Sequence, residues 1–92
     1  MATNDCADRR SLIERLAADY RSLDETTTVT EEELAAMQAE RAAPEAIAVV
    51  EERLAAERER LGEITAEGRA AVDAFRAACG GEQLPPLPWP SR

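Results

Sequence analysis

The chain has 92 residues, which is enough for one small domain with a thin core. Its net charge of −8 repels phosphate backbones and anionic lipid, so we expect no direct nucleic-acid or membrane binding and favour a basic protein partner. The chain has no histidine, which removes the commonest general base. We therefore expect no enzyme activity, no catalytic residue, no metal site and no cofactor.

The first predicted helix spans residues 8–24 and follows a flexible N-terminus, residues 1–7. Large apolar side chains recur at intervals of three and four residues along it, as in an amphipathic helix. The stripe that they form consists of Leu12, Ile13, Leu16, Tyr20 and Leu23.

Residues 26–30 are five consecutive β-branched residues, TTTVT. Such residues lose side-chain freedom in a helix, so we expect an extended connector here. Thr30 and Glu33 then have the spacing of a capping box, in which the threonine hydroxyl and the glutamate satisfy free amides. The pattern predicts a second helix over 31–42.

Pro44 limits the second helix and suits the first turn of a third, predicted over 44–79. Its apolar residues hold one helical phase up to Gly80 and Gly81. Gly62 and Gly68 each favour a break in this helix, whereas the continuous phase favours one long helix. We favour one long helix and keep a break at Gly62 or Gly68 as the alternative.

These elements predict an all-α protein, a small three-helix antiparallel hairpin or bundle with one long C-terminal helix and a proline-rich extended tail. The first two helices would run antiparallel to the third, which would bring Cys6 close to Cys79. The N-terminus has no apolar signal region, so we expect a cytoplasmic protein with both cysteines as thiols.

Residues 80–92 form a Gly-Gly hinge and the proline-rich tail. The tail has three interpretations: it folds back onto the helices, it binds another protein as a polyproline II ligand, or it is disordered. For the second, the candidate partner-binding residues are Leu84, Pro85, Pro86, Leu87, Pro88, Trp89 and Pro90.

Two functions remain compatible with the sequence. The first is a small acidic helical interaction module, an adaptor or accessory subunit that binds a protein partner through an apolar helix face and the tail. The second is an acidic inhibitor of the kind that phages encode, which mimics nucleic acid and occupies a basic groove of a nucleic-acid-binding enzyme. The thin core also favours self-association into a homo-oligomer.

Overall fold

The computed structural model describes residues 5–90 and contains two helices, α1 (Asp5–Ala39) and α2 (Pro44–Cys79). They form one antiparallel hairpin, 59 Å long and 20 Å across, and residues 5–90 contain no strand. The all-α prediction is confirmed, but the three-helix arrangement is wrong. None of the helices within residues 5–90 has a stretch apolar and long enough to cross a membrane.

The predicted connector at 26–30 is helical, and it merges the predicted helices 8–24 and 31–42 into α1. The threonine side chains are accommodated because their hydroxyls donate to the carbonyl four residues earlier, as Thr27 does to Leu23 at 2.8 Å. The Thr30 hydroxyl donates to the Thr26 carbonyl within α1, so Thr30 is not the N-cap of a second helix. Residues 5–7, predicted to be flexible, form the first turn of α1, and residues 1–4 lie outside the described residues.

The two helices meet along a seam with a seven-residue repeat, as in an antiparallel coiled coil. On α1 the repeat places Ile13, Leu16, Tyr20, Leu23, Thr27, Thr30, Leu34 and Met37 toward α2. On α2 it places Ile47, Val50, Leu54, Glu57, Leu61, Ile64, Gly68, Ala71 and Phe75 toward α1. The seam explains why α1 continues through its threonines, since Thr27 and Thr30 are buried in it.

A four-residue turn, 40–43, joins the helices. Arg41 has a φ of 56° there, in the left-handed region that usually favours glycine. The amide of Ala42 donates to the Met37 carbonyl at 2.9 Å and closes the end of α1. Pro44 then begins α2, as its fixed φ and missing amide predict.

Helix α2 is continuous through Gly62 and Gly68, so the alternative of a break at either glycine is wrong. Gly80, with a φ of 59°, ends the helix, and its amide donates to the Arg76 carbonyl. The chain can therefore reverse after Cys79 and run back along the hairpin. The tail does so, and Trp89 enters the same core cluster as Ile13, Ile64 and Phe75.

Cys6 and Cys79 lie close together, as the antiparallel course of the chain predicts. They form a disulfide with a Cα–Cα distance of 5.9 Å, so the expectation of two thiols is wrong for this structure. The bond closes a segment of 73 residues, for which chain-entropy arguments give a stabilisation of about 4 kcal/mol. It ties the start of α1 to the point where the tail leaves α2.

Candidate interaction surface

The seven predicted tail residues do not share one environment. Trp89 is buried, with 6% of its surface exposed, whereas Leu84, Leu87 and Pro88 are half-buried. Pro85, Pro86 and Pro90 are exposed. The tail is thus folded back, and its apolar side chains contribute to this protein's own core. Whether its exposed prolines also bind a partner stays a prediction.

Trp89 fits over Gly68, where α2 has no side chain. A Cβ built on Gly68 would lie 2.6 Å from two carbon atoms of the indole, which is closer than real Cβ contacts come. Tyr20 packs edge-on against the indole with ring centroids 6.3 Å apart. Arg69 donates to the Pro90 carbonyl at 2.6 Å and holds the end of the described tail in place.

Further contacts hold the tail and both helices together at this end of the hairpin. Arg21 donates to the Pro86 carbonyl at 3.2 Å, and Arg10 pairs with Glu82 at 3.3 Å. Arg10 also lies 5.4 Å from the centre of the Phe75 ring. With the disulfide, these contacts define what we call the clamped end, residues 5–23 and 61–90.

The remainder of the hairpin, residues 24–60, is what we call the open end. No tail residue among those described packs on it, because the tail reaches only as far as Gly68. The open end contains eleven acidic residues and four arginines, so it carries a net charge of −7. Almost all of the chain's charge of −8 is therefore concentrated at one end of the molecule.

The open end also presents two large apolar side chains to solvent, Val29 at 63% and Val49 at 64% exposure. Each lies four residues before a member of the ion pair between Glu33 and Arg53, which crosses from α1 to α2. Residues four apart share a helix face, so both valines lie on the side of the hairpin that carries this pair.

The tail lies on the opposite side of the hairpin. Arg10 pairs with Glu82, so the tail lies on the side of α1 that carries Arg10. Glu31 follows Arg10 by three seven-residue repeats and therefore lies on that same side of α1. Glu31 forms the second inter-helix ion pair of the open end, with Arg58 at 2.8 Å. The valines therefore face away from the tail side, and we call the surface around Val29 and Val49 the valine face.

Between the two sides, Thr30 and Glu57 form a polar layer in the seam of the open end. Thr30 lies 3.2 Å from Oε2 of Glu57 and 3.1 Å from the Thr26 carbonyl, so one hydroxyl proton serves two acceptors. Oε1 of Glu57 is buried and has no hydrogen-bond partner among the described residues. Near the turn, Leu34, Met37 and Ile47 remain half-buried, because only two helices are available to cover them.

Two groups of side chains in the described residues can be compared with cation sites: a carboxylate row on α2, and the group of Cys6, Cys79 and Glu82. Glu63 and Glu67 lie on the row that begins at Glu59, but Arg60 pairs with both, at 3.2 and 3.5 Å. The hydrogen bond to Glu63 raises the pKa of Arg60 above its ordinary value, so the guanidinium keeps its charge. The second cluster is Cys6, Cys79 and Glu82, whose two sulfurs are joined in the disulfide and so are not thiolates.

Sequence reasoning missed the valine face because it assigned Val29 to a connector. The available signal was the seven-residue spacing of Ile13, Tyr20, Thr27 and Leu34, which continues through the threonines. Once that repeat is followed, Val29 falls on the outside of a helix. Its exposure is then a property of the folded hairpin rather than of a loop.

Comparisons with protein-family models, with curated proteins and with solved structures found no match to this chain. The function of this chain is therefore inferred from the geometry and charge of the hairpin itself.

Proposed function

We propose that this chain is a helical interaction module, an adaptor or accessory subunit, whose open end binds a basic protein segment. The observation that carries the proposal is the coincidence, within residues 24–60, of a net charge of −7 and the exposed Val29 and Val49. Apolar contact supplies affinity, and surrounding charge of one sign selects and orients a partner of the other sign.

The partner that fits this surface is an amphipathic helix with small apolar residues flanked by arginine or lysine. Val29 and Val49 provide anchor points, and the alanines of the open end let another helix approach closely. Ala36, Ala46 and Ala56 are among these exposed alanines. Two copies of this chain would bring together two surfaces of charge −7, so the predicted self-association is disfavoured through the open end.

Site-specific photo-cross-linking in the native cell tests the proposal. A photoreactive amino acid at Val29 or Val49 should capture the same protein, and the captured segment should be basic. The matched control is Leu12, which is 39% exposed on the same side of the hairpin but at the clamped end. Capture from Leu12 and not from the valines would contradict the proposal.

The nucleic-acid mimic remains a second candidate, because exposed carboxylates recur every seven residues on the outer side of the open end. They are Glu25 and Glu32 on α1 and Glu45, Glu52 and Glu59 on α2. A mimic bound through carboxylates should lose affinity steeply as salt rises and should tolerate Val29→Ser with Val49→Ser. A module bound through the valine face should also bind more weakly as salt rises, because its partner is basic, but it should lose binding in that double variant.

The cytoplasmic location stays a prediction from the sequence. In a reducing compartment the Cys6–Cys79 bond would not normally persist. Binding should therefore be measured with the disulfide both formed and reduced. Since the valine face lies at the other end of the hairpin, we expect similar affinities in the two states wherever the hairpin remains folded.

A further inference from the structure

The tail and α2 line an open cleft of about 570 Å³ at the clamped end. This volume is within the range of pockets that bind small molecules. One wall comes from α2, between Arg69 and Arg76, and the other from the tail, between Glu82 and Pro90. The cleft is far from the valine face and has no part in the function proposed above.

The cleft is amphipathic. Its apolar lining includes Val72 of α2 and Leu84, Leu87 and Trp89 of the tail, and Trp89 is fixed in place by its contact with Gly68. A ligand body could therefore rest on a preformed apolar surface.

Some charged residues of the cleft already interact with other residues of this chain. Arg69 is held by the Pro90 carbonyl, and Glu82 is paired with Arg10. Asp73 also takes part in an interaction. The Arg76 side chain, by contrast, makes no hydrogen bond or ion pair with any residue in the described range 5–90.

We propose that this cleft binds a small monocarboxylate with an aliphatic or aromatic body. The guanidinium of Arg76 would hold the carboxylate through a two-pronged hydrogen bond, and the body would lie on Leu84, Leu87 and Trp89. A single negative charge fits better than a phosphate, because Asp73 and Glu82 stand on the same rim and would repel a dianion.

Trp89 is the only tryptophan of the chain and lines the cleft, so its fluorescence reports on binding. The full-length protein is titrated with octanoate and, in parallel, with 1-octanol, which has the same body without the charge. We expect a saturable change in Trp89 emission with octanoate, and an affinity roughly tenfold higher than for 1-octanol because of the charged hydrogen bond to Arg76.

The variant Arg76→Gln should bind octanoate about as weakly as 1-octanol, since only the charged partner has been removed. Arg76 is exposed, so the fold should survive the change, which circular dichroism checks. The matched control is Arg15→Gln, which removes an exposed arginine of α1 that does not line the cleft. Equal affinities for octanoate and 1-octanol, or wild-type affinity in Arg76→Gln, would overturn the proposal.

Discussion

Gly68 is the residue on which the position of the tail depends most directly. Its missing side chain leaves room for the indole of Trp89, and Tyr20 closes the same site from α1. Glycine in a helix interior costs about 1 kcal/mol relative to alanine, and the buried tryptophan offsets that cost. A residue that looks like a helix defect in the sequence is thus a packing site in the folded protein.

We expect Gly68→Ala to destabilise the protein by about 1–3 kcal/mol, because the new methyl group would overlap the indole. Trp89 emission should also shift to longer wavelength as the ring moves toward water. Gly62→Ala is the matched control, since a Cβ at Gly62 meets no atom within 4 Å. That variant should gain up to about 1 kcal/mol. The free energy of unfolding of both variants is measured by denaturant titration. Equal changes in the two variants would contradict the proposed packing of Trp89 on Gly68.

At the scale of the elements, the polar layer of Thr30 and Glu57 interrupts an otherwise largely apolar seam. A polar residue in a coiled-coil seam costs stability and fixes the register of the two helices. The buried Oε1 of Glu57 has no hydrogen-bond partner among the described residues, so the cost is high here.

We expect Thr30→Val to destabilise the hairpin by about 1–3 kcal/mol, because Glu57 would lose its hydrogen bond while remaining in the seam. Thr30→Val with Glu57→Leu should recover that loss and exceed the wild-type stability. The measurement is a double-mutant cycle of unfolding free energies. Additive effects of the two changes would show that the residues do not interact as the structure indicates.

The sequence predicted α2 well and α1 poorly, for one physical reason. Pro44 and Gly80 are local signals that act through the backbone alone, and both bounds of α2 follow from them. The threonines of α1 have low helix propensity, and their helical state depends on packing against α2. The low helix propensity of the threonines favoured a connector. The segment is helical because Thr27 and Thr30 are buried against α2.

At the scale of the whole molecule, the chain is divided into a clamped end and an open end. The sequence left the fate of the tail undecided, because the site for Trp89 exists only once Gly68 and Tyr20 have been brought together. The concentration of charge in residues 24–60 was visible in the sequence. The sequence did not show that those residues form one end of a hairpin, and so it did not show that the charge lies on one continuous surface.

The most direct test of this division is hydrogen exchange of the full-length protein, with and without the partner captured from Val49. We predict that binding slows amide exchange within residues 24–60 and leaves exchange in the tail, residues 80–90, unchanged. The reason is that the partner would cover the open end while Trp89 stays on Gly68. Slower exchange confined to the tail and the clamped end, with no change in residues 24–60, would contradict the account.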